Sequence, residues 1–159
     1  MKQFEIENIK KVTSELFAGS GFDEFQVVEL SIDSLFSMHI DGHINKEFLT
    51  EEELEKSTDT AVRWKTVKHL CYEMLKGTRL PLKFDIVLMM TKSAEEKLAQ
   101  AAGIGDEANN INGLFLNFMF KDKKLRCTSG VSLNKFTLDR SIEKAWDAMA
   151  ASIISRIDG

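Results

Sequence analysis

The amino-acid sequence predicts an α+β fold, in which an antiparallel sheet of about five or six strands packs against two long helices. Apolar and polar residues alternate in several short segments, two longer segments have helical periodicity, and short turns join consecutive extended segments. Short turns favour antiparallel pairing, because a parallel pair needs a long crossover. Two smaller sheets, one in each half, are the alternative. The length of 159 residues predicts a single domain, residues 1–159.

Four segments have the apolar spacing of amphipathic helices. In each of them apolar residues recur every three or four positions, which gives the helix one face for the core. The segments are residues 7–18, 60–76, 93–102 and 139–157. Ser93 and Asp139 are the expected N-terminal caps of the last two helices.

Both tryptophans are expected in the core. Trp64 lies on the apolar arc of helix 60–76, and Trp146 lies on the apolar arc of helix 139–157. The first of these arcs consists of Trp64, Val67, Leu70, Cys71, Met74 and Leu75. A large aromatic side chain dominates the burial of such a face, so each Trp should anchor its helix on the sheet.

Alternation of apolar and polar residues predicts the strands. Extended segments lie within residues 25–48, 82–91, 113–121 and 124–136. Asp41-Gly42 predicts a two-residue type I′ hairpin turn, since both central positions of that turn require a positive φ. Ser129-Gly130 is expected to interrupt the last strand.

The two halves of the chain resemble each other. A Gly…Asn-Lys…Phe pattern begins at Gly42 in the first half and at Gly130 in the second. Each copy precedes a helix that carries a Trp. An old duplication and a chance match are both compatible with this pattern.

Composition and charge exclude several classes of protein. The chain carries 21 basic and 25 acidic residues, a formal charge of −4, so nucleic acid is an unlikely partner in electrostatic terms. Cys71 and Cys127 do not form a CxxC pair and are expected to be reduced thiols. The first residues show no secretory leader, and the longest apolar run has five residues against the ~20 of a membrane-spanning helix. We therefore expect a cytoplasmic protein without a membrane partner.

The sequence contains no recognisable catalytic constellation. His39, Asp41 and His43 have the spacing of metal ligands on one strand face, but a turn at Asp41-Gly42 would place the two histidines on opposite faces. Cys71 falls on an apolar arc, where a thiol is expected to have a raised pKa and low reactivity. A catalytic role for Cys127 would also need a His base nearby in space, which the sequence leaves open. We therefore assign no catalytic residue, no metal and no cofactor.

A basic segment is the strongest candidate for a binding site. Residues 61–83 hold six basic side chains and one acidic side chain, a net charge of +5 in a chain of net charge −4. The candidate ligand-binding residues are Lys65, His69, Lys76 and Arg79. The first three share the side of helix 60–76 opposite its apolar arc. Arg79 ranks first, since a guanidinium holds a carboxylate or phosphate through two parallel hydrogen bonds.

An ordinary solvated helix face is the alternative interpretation of these charges. The acidic segment 47–59 precedes the helix and would then neutralise it. Lys76 would also interact favourably with the carbonyl groups at the helix C-terminus.

Segments spread over nearly the whole chain carry a family resemblance. They are residues 41–46 (DGHINK), Trp64 with Lys68 and Cys71, residues 76–81 (KGTRLP), and the stretch from Thr128 to Asp147. Together they resemble an uncharacterised family of cytoplasmic proteins from Gram-positive bacteria, a domain of unknown function. The resemblance implies a compact bacterial protein of one domain. The family carries no transferable activity, so the resemblance supplies no site residue.

Two classes of function are therefore open. A non-enzymatic intracellular binding or protein-interaction domain is favoured, because no catalytic constellation is recognisable. The alternative is a small enzyme acting on an anionic substrate that bears a phosphate or a carboxylate. The expected partner in either case is an anionic small molecule or an acidic protein surface. A pocket with a His or Cys of shifted pKa would favour the enzyme, and a shallow apolar patch would favour the interaction domain.

Overall fold

A six-stranded antiparallel sheet is the centre of the fold. The computed structural model describes residues 1–77 and 79–159. Its strands are β1 (Gln3–Glu5), β2 (Gln26–Asp33), β3 (Ser37–Asp41), β4 (Lys83–Met89), β5 (Ile111–Lys121) and β6 (Lys124–Leu133). They pair in the order β1-β6-β5-β4-β2-β3, every neighbour antiparallel. The predicted α+β fold is confirmed, and the alternative of two smaller sheets is wrong.

Helices form at each of the four predicted segments. The α-helices are α1 (Ile9–Phe17), α2 (Glu51–Lys56), α3 (Trp64–Leu75), α4 (Lys92–Ala101) and α5 (Ser141–Asp158), and short 3₁₀ helices span Lys46–Phe48 and Gly105–Asn110. α3 begins four residues later than predicted, because Ala61 and Arg63 form bridges with His43 and Gln26 and are extended. α1 contacts both α3 and α5, and α5 contacts α4, so these four helices form one layer.

The core lies between this helical layer and one face of the sheet. Alternate residues of the central strands are buried there, as their period of two predicts: Leu30, Ile32, Phe84, Ile86, Leu88, Leu116 and Phe118. The residues between them, on the other face, are exposed or half-buried. The sheet therefore has one buried face and one solvent-facing side, which is common in antiparallel sheets.

Both tryptophans are fully buried, as predicted. The Trp64 Nε1–H donates to the carbonyl oxygen of Leu16 at 2.7 Å, and the Trp146 Nε1–H donates to that of Phe115 at 3.1 Å. Leu70 was expected beside Trp64 in the core, but it is 47% exposed. The buried arc of α3 is therefore narrower than its sequence suggests.

The positive-φ turn is not at Asp41-Gly42. β2 and β3 are joined through residues 34–36, and Gly42 continues along β2, where its N–H donates to the Val28 carbonyl oxygen at 2.8 Å. A two-residue turn with positive φ joins β5 to β6 instead, at Asp122 (φ 53°) and Lys123 (φ 62°). The predicted type I′ turn is therefore wrong in position.

Three local predictions have different outcomes. β6 runs through Ser129-Gly130 without interruption, since Ser129 pairs with Leu116 in β5. α4 is capped by Thr91 rather than Ser93: the Ala94 N–H donates to the Thr91 hydroxyl at 3.3 Å. The N-cap of α5 is Arg140 rather than Asp139, although the Asp139 carboxylate accepts the backbone N–H of Ser141 at 2.9 Å.

A buried carboxyl group makes the fold sensitive to pH. Glu95 in α4 is only 3% exposed, and burial raises the pKa of its carboxyl group above the ordinary 4.5. Lys92, whose Nζ is 3.4 Å from Glu95 Oε2, opposes this shift without cancelling it. A raised pKa means that the folded state holds this proton more tightly than the unfolded state does. The contribution of Glu95 to stability is therefore lost as pH rises above about 4.5.

We expect the substitution Glu95→Gln to stabilise the protein at neutral pH and to flatten this pH dependence. The neutral amide avoids the desolvation of a carboxylate, which outweighs the attraction of Lys92. Urea unfolding at a series of pH values measures the effect, and Glu96→Gln, at an exposed neighbouring position, is the matched control. Equal pH profiles for the wild type and Glu95→Gln would contradict the expectation.

Candidate functional site

The basic residues of α3 are mostly paired with acidic neighbours. Lys65 Nζ lies 3.1 Å from Glu24 Oε1, and Arg63 contacts both Glu24 and Asp59 at 2.6 Å. Lys68 Nζ lies 2.5 Å from Asp23 Oδ1. Two of the neutralising carboxylates, Asp23 and Glu24, lie in the loop before β2. Among the described residues, Asp59 is the one member of the acidic segment 47–59 in these pairs.

The four candidate ligand-binding residues are divided between two regions. Lys65 and His69 are exposed near the beginning and middle of α3, whereas Lys76 and Arg79 follow its last turn. At a rise of 1.5 Å per residue, Lys65 is about 16 Å from Lys76 along the helix axis. The structure thus brings Lys76 and Arg79 to one region and leaves Lys65 and His69 outside it.

Beside Lys76 lies an open groove with a volume of about 820 Å³. It is bounded by α1, the last turn of α3, the segment before β4 and the turn between β5 and β6. Apolar side chains form its floor: Ile9, Phe17, Leu75, Leu80 and Phe120. We call this cavity the groove.

The rim of the groove is basic. Three lysines line it from three different elements: Lys10 in α1, Lys76 after α3, and Lys123 in the positive-φ turn. The hydroxyl groups of Thr13, Ser14 and Tyr72 also line it. Within residues 1–77 and 79–159, no acidic, histidine or cysteine side chain does so.

Local sequence explains how each element presents its part of the groove. Ile9, Thr13 and Phe17 are spaced by four residues, so they follow one face of α1, and the ring of Phe17 packs edge-on against Phe84 with centroids 5.4 Å apart. The helix α3 ends before Gly77, whose φ of +126° is rarely adopted by other residues. Thr78, which belongs to the KGTRLP segment, lies outside the described residues.

Arg79 lines two further cavities next to the groove. The smaller, of about 120 Å³, shares Leu75, Leu80 and Phe120 with the groove. The larger, of about 610 Å³, is lined on its other side by Leu35 and Leu82. The segment 79–82 therefore separates two accessible apolar surfaces.

Lys76 is paired with an acidic neighbour on its own helix. Its Nζ lies 2.6 Å from Glu73 Oε2, and this hydrogen bond raises the pKa of the Lys76 ammonium group. Both side chains are more than half exposed. The ammonium group is therefore protonated at any physiological pH.

His39, Asp41 and His43 have a different arrangement from the expected one. Because Asp41-Gly42 is not a turn, the argument that placed the two histidines on opposite faces of a hairpin is wrong. His43 Nδ1 lies 2.6 Å from Asp41 Oδ1, and the hydrogen bonds from His43 lower the pKa of Asp41. In the described part of the chain, no three His, Cys, Asp or Glu residues are placed to hold a metal ion.

Both thiols are buried and weakly acidic. Burial raises the pKa of Cys71 and of Cys127 to about 12. Each thiol is therefore protonated at neutral pH, and a protonated thiol is a poor nucleophile.

The comparisons with known proteins add a family and no activity. A model described as a family of unknown function, DUF5721, matches residues 15–158. No curated protein and no solved structure has a significant match to the chain. None of the described helices combines the length and apolar character that crossing a membrane requires.

Proposed function

The chain belongs to DUF5721, a family of unknown function, and we propose that it is a binding protein for an anionic ligand with an apolar body. The ligand occupies the groove. Its apolar part lies on the floor formed by Phe17, Leu75 and Phe120, and its carboxylate or phosphate lies between Lys10, Lys76 and Lys123. Arg79 approaches the ligand from the adjoining small cavity.

The observation that carries this proposal is a large apolar groove whose lining, within residues 1–77 and 79–159, holds three lysines and no acidic side chain. Glu73, which pairs with Lys76, lies outside this lining. A volume near 820 Å³ lies within the ~300–1,000 Å³ of ordinary small-molecule sites. Three ammonium groups of one sign around it raise the local concentration of an anion.

The lining also favours binding over catalysis. An enzyme that transfers a proton or forms a covalent intermediate needs a base or a nucleophile beside its substrate. The described lining offers lysine ammonium groups, three hydroxyl groups and apolar side chains. Cys71 and Cys127, with pKa values of about 12, are buried in the core. We therefore prefer the binding protein to the small enzyme.

Titration with alkyl probes of equal length tests the proposal. Decanoate and decyl phosphate should shift the amide NMR signals of Lys10, Thr13, Tyr72 and Lys76 in a saturable manner. Decanol, which lacks the charge, and inorganic phosphate, which lacks the apolar body, should both bind at least about tenfold more weakly.

Charge reversal on the rim provides the matched comparison. The double substitution Lys10→Glu/Lys123→Glu should weaken decyl phosphate binding by at least about tenfold, since each reversal exchanges an attraction for a repulsion. Lys65→Glu/Lys144→Glu makes the same change of net charge at two exposed sites outside the groove lining and should have little effect. Equal losses in both variants, or no saturable shift in the wild type, would contradict the proposal.

A further inference from the structure

An acidic arm projects from the sheet between β3 and α3. It comprises residues 44–60, and its ends are held together by the N–H of Ile44, which donates to the Thr60 carbonyl oxygen at 3.0 Å. The His43–Ala61 bridge closes the base. Every side chain of the arm is exposed or half-buried, so the arm itself has no core.

The arm is nevertheless folded. Thr50 and Glu53 form a complete capping box at the start of α2, and Lys56 Nζ contacts Glu52 Oε1 at 2.5 Å. A helix of six residues does not hold in water through its own hydrogen bonds, and packing normally stabilises it. α2 has no extensive contact with any other described element.

The exposed side chains of the arm are of two kinds, acidic and apolar. It carries six carboxylates and two lysines, a net charge of −4. Phe48 is 89% exposed and Leu54 is 41% exposed on the same arm. These two side chains give the arm exposed apolar surface beside its carboxylates.

A surface of complementary character lies at the opposite end of β2. We call it the tip patch: Leu35, Leu80 and Leu82, which are 95%, 64% and 74% exposed, with Arg79 and Lys76 lining the same cavity of about 610 Å³. No carboxylate belongs to this lining in the described chain. The patch is therefore apolar and basic where the arm is apolar and acidic.

The two surfaces lie at opposite ends of β2 within one molecule. The base of the arm pairs with β2 at Gln26 and Val27, whereas the Leu82 N–H donates to Asp33, at the other end of that strand. Seven steps along a strand separate the two ends, about 23 Å. Within the described chain, no residue of the arm lines the cavity of the tip patch.

We propose that the acidic arm of one copy docks on the tip patch of a second copy. Phe48 and Leu54 cover Leu35 and Leu82, and the carboxylates of α2 lie against Arg79 and Lys76. The contact is head-to-tail, so each bound copy still has a free arm or a free patch. Such contacts produce closed rings or open chains rather than two-fold dimers.

Complementation of two variants tests this contact. The patch variant Leu35→Glu/Leu82→Glu retains a normal arm, and the arm variant Phe48→Lys/Glu55→Lys retains a normal patch. By sedimentation velocity, the wild type should associate in a concentration-dependent manner across the micromolar range, more weakly at high salt. Each variant alone should be monomeric, and their mixture should form a discrete heterodimer.

Controls separate this proposal from nonspecific charge effects and from the groove. Glu96→Lys and Lys144→Glu change exposed charges elsewhere and should leave association unchanged. Leu35 and Leu82 are outside the groove lining, so the patch variant should still bind decyl phosphate. A wild type that stays monomeric, or a mixture of variants that does not form the heterodimer, would overturn the proposal and leave the function of the groove standing.

Discussion

Replacing Trp64 with Ala is expected to lower the free energy of unfolding by about 3–5 kcal/mol. Trp64 is fully buried between α3 and the neighbouring helix α1, and its ring lies 5.8 Å from that of Phe17, centroid to centroid. Truncation leaves a large cavity at this junction. It also removes the donor to the Leu16 carbonyl oxygen, and a buried polar group without its partner costs a further ~1 kcal/mol or more.

Two further variants show which property of Trp64 matters. Trp64→Phe keeps most of the apolar volume and loses the Nε1–H donor, so its loss should be roughly half that of Trp64→Ala. Leu70→Ala alters the same helix at a position that is 47% exposed, and it should cost less than about 1 kcal/mol. Chemical denaturation measures all three. A larger loss for Leu70→Ala than for Trp64→Ala would mean that α3 presents a different face to the sheet.

Periodicity was sufficient to predict most elements of this fold. The central strands bury alternate residues, and Trp64 and Trp146 lie on the apolar arcs of their helices, so the strands β2 to β6 and the two anchors follow from patterns of period 2 and 3.6. Leu70 shows the limit of this reasoning. The width of a buried arc depends on which elements pack against the helix, and that information is not local.

The groove could be predicted only in part from the sequence. Lys76 and Arg79 belong to a conspicuous basic segment of the sequence, and each lines a cavity in the structure. Lys10 and Lys123, by contrast, lie far from that segment in the sequence, each next to another lysine that does not line the groove, and they reach the rim through packing of α1 and the β5–β6 turn. A helical wheel places Lys65 and Lys76 on one stripe, but it does not show the distance of about 16 Å along the helix axis that separates them.

Gly42 is the position where a local pattern misled most clearly. Asp-Gly is a strong signal for a turn that needs positive φ, yet Gly42 has no positive φ and is not in a turn. Glycine is needed there because the backbone of β2 leaves no room for a side chain. A Cβ atom at position 42 would lie 1.8 Å from the carbonyl oxygen of Val27, where the pairing of β2 with β4 shifts register.

We therefore expect Gly42→Ala to destabilise the protein by about 3 kcal/mol or more, because backbone rather than a flexible side chain must move. The Gly42 carbonyl oxygen also accepts the Val62 N–H at 2.8 Å, so the base of the acidic arm should loosen with it. Urea unfolding measures the loss, and hydrogen exchange at Val62 and Ile44 measures the loosening.

Two comparisons distinguish crowding from a requirement for positive φ. Gly130→Ala places its Cβ 3.7 Å from the nearest atom, an ordinary contact, and should change stability by less than about 1 kcal/mol. Gly42→Asn is the sharper test. Asn tolerates positive φ better than Ala does, so at a type I′ turn it would be the milder substitution. Because the Val27 carbonyl group crowds this position, the larger Asn side chain fits no better than Ala does. The protein should therefore lose at least as much stability with Gly42→Asn as with Gly42→Ala.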